Sequence, residues 1–464
     1  MSPNPSDALV VFGATGDLAK KQTFPALHAL VKRGALNVPV IGVAAMGWTV
    51  DRLREYASES LRDHGIDVGD SPSQTLLSLL RYVDGDYRDA ATYTALKQEL
   101  GEASAPLYYL EIPPSLFATV IDGLGAAGLA GELTRVMIEK PFGRDLASAE
   151  DLNRTLHRSF PESQVFRVDH YLGKEPVQNL TFFRFANRML EPVWNNNHVE
   201  SIQITMAEDL DVADRGAFYD ETGALRDAVQ NHLLQVAGLL LMEPPATHDA
   251  ESERDAKVAV FRSIRSLSAR DVVRGQYRGY REVKGVSPDS PVETYAAVRL
   301  HVDSWRWAGV PVYLRTGKCL PVKAFEVLVE FKRPPTQVFD DRQPGQSNYV
   351  RFRMQPDITI SVGARAKRPG EGMHGRDVEL SVVEQPQEEM APYDRLIGDA
   401  LRGDQTLFAR QDLVEEAWRI LDPVLDAGLP VYEYAQNSWG PAEADKLIQR
   451  LGGWHNPRLA DGAP

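Results

Sequence analysis

Short apolar runs alternate with amphipathic ones through the first third of the chain. Ala8–Phe12 (ALVVF), Val38–Val43 (VPVIGV), Leu107–Ile112 (LYYLEI), Arg135–Glu139 (RVMIE) and Gln164–Val168 (QVFRV) have the length and side chains of buried strands. Tyr82–Asp84 adds a weaker one. Helical spacing marks the segment that reaches about Val31 and stops at Gly34, then Val50–Asp63, Ala90–Leu100, a stretch from Ser115, and Asp145–Phe160, which Asp145 is placed to cap. Strand alternating with helix about six times predicts a parallel, doubly wound α/β sheet of Rossmann-like build.

The period changes after Gly173. Val199–Met206 (VESIQITM), Ala297–Val302, Phe325–Phe331 and Ile358–Val362 alternate apolar and polar residues, with no regular helices expected between them. This predicts a large antiparallel sheet in an α+β domain, with polar connections at Asp340–Asn348 and Lys367–Arg376. The expected division is 1–168 for dinucleotide binding and 169–464 for substrate binding and dimerisation. Ligands commonly bind between such domains. Gly223–Leu241 (GALRDAVQNHLLQVAGLLL) reads as one helix, apolar on most faces but interrupted by Asp227, Asn231 and His232. Asp227 and Asn231 are four apart and share a face. His232 is five from Asp227, about 140° round an α-helix, so these two need not touch.

Composition narrows the function. The 464 residues are 43% hydrophobic and 25% charged, an ordinary globular balance. The net charge of −14, from 51 basic and 65 acidic residues, argues against nucleic acid as a general partner. A local basic cluster still suits an anionic small molecule. One cysteine, Cys319, forbids an intrachain disulfide and any cysteine-rich zinc site. Residues 1–7 carry no signal-peptide pattern, and no run of about 18 apolar residues appears, so no membrane span is expected. A cytoplasmic enzyme is the expectation.

Three stretches carry chemistry. The first strand runs into Gly13-Ala-Thr15-Gly16-Asp17-Leu18 and then a helix. Strand, glycine turn and helix together aim backbone N–H groups and a positive helix end at a phosphate. The pattern is GxxGDL, so a plain strand-to-helix turn is the competing reading. Arg135–Glu139 ends in Lys140-Pro-Phe-Gly143, which reads equally as a surface lysine before a turn. Arg167–Leu180 (RVDHYLGKEPVQNL) follows a strand and packs Asp169, His170, Tyr171, Gly173 and Lys174 together. Its cations suit a phosphate dianion, and Asp169 suits the orientation of a base. His232 alone, on an apolar helix, is more often a packed core residue than a general base.

RVDHYLGKEPVQN resembles the signature of glucose-6-phosphate dehydrogenases, and the resemblance runs from Gly13 to Pro441. EKPFG at Glu139–Gly143 and RDAVQNHLLQ at Arg226–Gln235 are similar to family stretches, as is Leu314–Lys323. Asn437-Ser-Trp-Gly-Pro441 resembles a further stretch, with Asn where glycine is usual, and reads as packing. The resemblance implies oxidation of D-glucose 6-phosphate at C1 to 6-phospho-D-glucono-1,5-lactone, the first step of the oxidative pentose phosphate pathway. It implies His232 as base and Asp169 as its orienting partner. His170, Tyr171 and Lys174 take the phosphate, and Lys140, Glu208, Asp227, Lys318 and Lys323 take the sugar. Gly13, Thr15, Gly16, Asp17, Leu18 and Lys140 face the cofactor. That cofactor is NADP by resemblance, with NAD or dual use open because Ala45 stands where the family often has Arg. No metal is implied, and a homodimer or homotetramer is. Two other readings are another sugar dehydrogenase of similar two-domain build and a non-catalytic nucleotide-binding paralogue.

Overall fold

Six strands form a parallel sheet in the order β3-β2-β1-β4-β5-β6 in a computed structural model that describes residues 5–336, 338–339, 346–370, 372–384 and 390–458. They are β1 (Ala8–Phe12), β2 (Val40–Ala44), β3 (Leu80–Asp84), β4 (Pro106–Leu110), β5 (Arg135–Glu139) and β6 (Val165–Val168). The strand order reverses between β1 and β4, and open α/β sheets hold ligands at the carboxyl ends of the strands at such a point. The turn between β1 and the following helix lies there. Asp145 caps the helix Leu146–Leu156 as expected, its side chain accepting from the Ser148 N–H at 2.8 Å.

This sheet belongs to the first of two compact units, which comprises Met1–Glu175 together with Pro245–Asp255 and Glu389–Glu415. The late return of the chain has a packing reason. Helix Pro392–Arg402 lays Leu396, Ile397 and Ala400 against Leu27, Leu30 and the β1 and β4 side chains. Phe408 meets Phe166 of β6 edge-on at 4.9 Å between ring centres. Arg33 donates to Asp394 at 3.0 Å.

The second unit holds Pro176–Pro244, Ala256–Glu388 and Glu416–Pro464. Its nine strands are β7 (Val199–Ala207), β8 (Val272–Tyr277), β9 (Tyr295–Leu300), β10 (Val312–Gly317), β11 (Ala324–Phe331), β12 (Tyr349–Gln355), β13 (Ile358–Lys367), β14 (Gly375–Glu384) and β15 (Val431–Tyr434). They lie in the order β14-β13-β12-β11-β7-β10-β9-β8-β15. Most neighbours are antiparallel, as the alternation predicts, but β7 with β10 and β8 with β15 are parallel. The first exception follows from topology. β10 and β11 run in opposite directions on either side of β7, so β7 must be parallel to one of them.

Two further expectations are corrected. Helices do intervene between the strands, notably Gly216–Ala224 and the fully buried Leu234–Leu241. And Gly223–Leu241 is not one regular α-helix, because Leu225–Leu233 is wound wide, as a π-helix. Of the connection expected at Asp340–Asn348, residues 340–345 lie outside the described residues.

Candidate active site

The glycine turn fits a dinucleotide phosphate. Gly13 has φ +86, and a Cβ there would stand 2.3 Å from the Glu111 carbonyl oxygen. Only glycine satisfies both demands. The Gly16 N–H donates to the Gly13 carbonyl at 2.8 Å, which closes the turn. Thr15, Asp17 and Leu18 lie on this turn and at the head of the helix that follows. The wide turn Ala19–Thr23 comes next and continues as the α-helix Phe24–Lys32. Tyr56 donates its hydroxyl to the Gly16 carbonyl at 3.2 Å, which ties helix Val50–Asp63 to the turn. A side chain at either glycine would crowd the backbone that must approach a pyrophosphate.

At the end of β6 the chain coils tightly. Asp169 is buried; its Oδ1 accepts the Tyr171 N–H at 3.0 Å and its carbonyl the Leu172 N–H at 3.0 Å. The Lys174 N–H donates to the Tyr171 carbonyl at 3.1 Å. These turns gather the three phosphate candidates. The Lys174 ammonium sits 3.7 Å above the Tyr171 ring, and the His170 ring lies 4.8 Å from that of Tyr171. His170 is also stacked on Tyr393, 6.3 Å away and within 9° of parallel.

Beside this cluster lie two acidic residues that the sequence reading did not single out, the buried Glu139 and the half-buried Glu111. Glu139, at the end of β5 before Lys140, accepts from the Tyr109 hydroxyl at 2.7 Å and hydrogen-bonds Tyr393. Glu111 accepts from Thr23. Burial pushes the Glu111 carboxyl up to about 8, with the charge of Glu139 adding to it. Burial likewise raises Glu139 to about 7, offset by the Tyr109 hydrogen bond and Lys140. A carboxylate ending an apolar strand was the available signal for Glu139; Tyr393 had none.

This has a pH consequence. Unfolded, Glu139 loses its proton near the ordinary 4.5; folded, it holds it to about 7. The folded state therefore binds more protons across that window, so the Glu139 contribution is full below about pH 4.5 and fades as the pH rises to about 7. Its size is at most about 3–4 kcal/mol, at about 1.4 kcal/mol per pH unit. Glu139→Gln should flatten the fall in stability between pH 5 and pH 8, measured by urea melts at both. An unchanged pH slope would show that Glu139 is ionised in the folded protein at pH 5.

The second unit carries the other candidates. Gly223, at φ +68, breaks the helical path, and the Leu225 N–H that follows donates to Glu293 Oε1 at 3.1 Å. The wide winding then runs through Asp227 and His232. Its i→i+5 pattern brings residues five apart nearer to one face than an α-helix does, which corrects the expected 140° separation. His232 is 3% exposed, and its N–H donates to Asn231 Oδ1 at 2.6 Å.

Glu208 and Lys318 follow directly on the paired strands β7 and β10, where Ala207 is opposite Gly317. The Glu208 N–H donates to the Gly317 carbonyl at 3.0 Å, and the two side chains form an ion pair. The Lys318 ammonium also lies 5.4 Å from the centre of the buried Tyr219 ring. Burial, then the charges of Asp227 and Glu208, raise the Tyr219 hydroxyl well above its ordinary value. Lys323 is exposed, immediately before β11. Cys319 is a buried thiol whose pKa burial pushes up to about 11, which disfavours the thiolate. Asn437 takes φ +59, the left-handed conformation that explains why a glycine serves there equally.

The comparisons with known proteins bear on the whole chain. Residues 10–179 match the family described as glucose-6-phosphate dehydrogenase, NAD binding domain, and residues 181–455 match its C-terminal domain. The chain belongs to the glucose-6-phosphate dehydrogenase family. It is 45% identical to glucose-6-phosphate 1-dehydrogenase 1 of Mycobacterium tuberculosis, over 98% of each chain. It is 41% identical to the glucose-6-phosphate 1-dehydrogenase of Aggregatibacter actinomycetemcomitans, over 97% of each. A crystal structure of the Mycobacterium avium enzyme superposes with a TM-score of 0.92 at 45% identity, covering 98% of this chain and 100% of the other. A glucose-6-phosphate dehydrogenase in complex with glucose 6-phosphate superposes at 0.90 with 33% identity, over 98% and 100%. The family explains the two-unit build, with its parallel nucleotide sheet and its larger mixed sheet.

Proposed function

We propose that this enzyme oxidises D-glucose 6-phosphate at C1 to 6-phospho-D-glucono-1,5-lactone, the entry step of the oxidative pentose phosphate pathway. The observation that carries this reading is the gathering of His170, Tyr171 and Lys174 on one coil at the end of β6, in a chain that also presents a dinucleotide turn. The three supply an ammonium, an imidazole and a hydroxyl, a set suited to a phosphate dianion. Lys140, Glu208, Asp227, Lys318 and Lys323 hold the sugar ring. Glu208 arrives already paired with Lys318, so a sugar hydroxyl there meets both an acceptor and a donor.

His232 takes the proton from the C1 hydroxyl, and Asp169 orients its imidazole and stabilises the charged form. Burial of His232 keeps competing water from the base. A nicotinamide cofactor, NADP or NAD, supplies the hydride acceptor when bound. Gly13, Thr15, Gly16, Asp17 and Leu18 hold its phosphates, and Lys140 its nicotinamide side.

The enzyme works as a homo-oligomer in the cytoplasm. Edge strand β14 exposes Leu380, Val382 and Val383, a surface suited to a second copy. Among the described residues, no helix is long and apolar enough to cross a membrane. The test is initial rates with glucose 6-phosphate, with unphosphorylated glucose as control. Turnover that depends on the phosphate supports the assignment; no turnover with either dinucleotide would promote the nucleotide-binding paralogue.

A further inference from the structure

The end of β2 is where doubly wound sheets choose between the two nicotinamide dinucleotides. An acid there accepts from the ribose hydroxyls of NAD, and a basic side chain accommodates the 2′-phosphate of NADP. Ala44, Ala45 and Met46 provide neither. The place is filled from the next strand. Asp84 ends β3, and its Oδ1 accepts the Met46 N–H at 3.0 Å and the Gly47 N–H at 2.8 Å. The Tyr82 hydroxyl stands 3.2 Å from the same oxygen. A carboxylate thus occupies the two backbone donors just beyond β2 that a phosphate would use.

Two nearby cations are already committed. Lys20 pairs with Asp63 at 3.0 Å and with Glu59 at 3.7 Å. Arg52 lies on the Trp48 ring, 5.2 Å from its centre, and pairs with Glu55 at 3.0 Å and Glu59 at 3.2 Å. Lys20 and Arg52 therefore each face two acids. A 2′-phosphate would add close to two negative charges beside Asp84, where Lys20 and Arg52 are already paired with acids. A ribose 2′-hydroxyl, by contrast, is a donor that a carboxylate accepts.

We infer that Asp84, brought to the end of β2 from the neighbouring strand, makes this enzyme select NAD over NADP. The inference rests on the dehydrogenase reading for its biological sense, but binding alone tests it. Fluorescence titration of the full chain with NADH and with NADPH, without sugar, should give an NADH dissociation constant at least about tenfold lower. Asp84→Asn keeps an oxygen for the Met46 and Gly47 donors and removes the charge. It should shift the NADPH-to-NADH ratio toward NADPH by about tenfold, and Asp84→Asn with Ala45→Arg should shift it further. NADPH binding as tight as NADH in the wild type, or a ratio within about twofold of wild type in Asp84→Asn, would overturn the assignment. Failure of turnover with glucose 6-phosphate, with the NADH preference intact, would instead sink the dehydrogenase reading and leave Asp84 standing.

Discussion

His232→Asn is expected to lower kcat with glucose 6-phosphate by about two to four orders of magnitude, the usual scale for loss of a general base. Asparagine keeps a polar group of similar reach but cannot take a proton near neutral pH. The effect should fall on kcat with little change in KM, because the base acts as the hydroxyl proton leaves and adds little to ground-state binding. The acidic limb of the kcat profile should also vanish, since it reports protonation of the imidazole. A variant within about threefold of wild type would rule His232 out as the base. Because His232 lies on a buried, wide-wound segment, the variant's urea melt should accompany the kinetics, so that unfolding is not mistaken for lost chemistry.

Lys174→Thr should instead raise KM for glucose 6-phosphate by about ten- to a hundredfold, since a hydrogen bond to a charged group contributes about 1.5–3 kcal/mol. The ammonium is held 3.7 Å above the Tyr171 ring, so its position is preset and little side-chain freedom is lost on binding. The loss should be specific to the phosphate. Any residual rate with unphosphorylated glucose should be the same in variant and wild type. Equal losses with both sugars would mean that Lys174 supports the fold of the coil, and an unchanged KM would remove it from the phosphate site.

Much of the architecture was legible because it is encoded over short distances. A buried parallel strand needs about five consecutive apolar residues, and β1, β2 and β4 announce themselves in that way. The Gly13–Gly16 turn and the Asp169–Lys174 coil are also local: their backbone conformations and hydrogen bonds are made among near neighbours. Asp145 could be named as a cap because its partner Ser148 is three residues away. The resemblance then attached roles to residues such as Glu208 and Lys318, whose spacing alone said little.

The rest depended on which strands lie side by side. Glu208 and Lys318 are 110 residues apart and pair only because β7 and β10 run parallel in register. That parallel pair exists because β7 lies between β10 and β11, an arrangement that alternation within a strand cannot specify. Tyr393 reaches His170 and Glu139 only through the return of residues 389–415 to the first unit. The wide winding around His232 has the same composition as an α-helix and differs only in its hydrogen-bond partners. Asp84 makes the point most sharply. The end of β2 reads as empty of any cofactor-selecting group, and the group is supplied by β3 across the sheet. The sequence by itself determined the local elements, the two sheet types and the chemistry-bearing motifs, since each is set by residues in contact along the chain. Only the tertiary structure decided which acids and bases meet, because an electrostatic contact is set by distance in space and carries no trace in spacing.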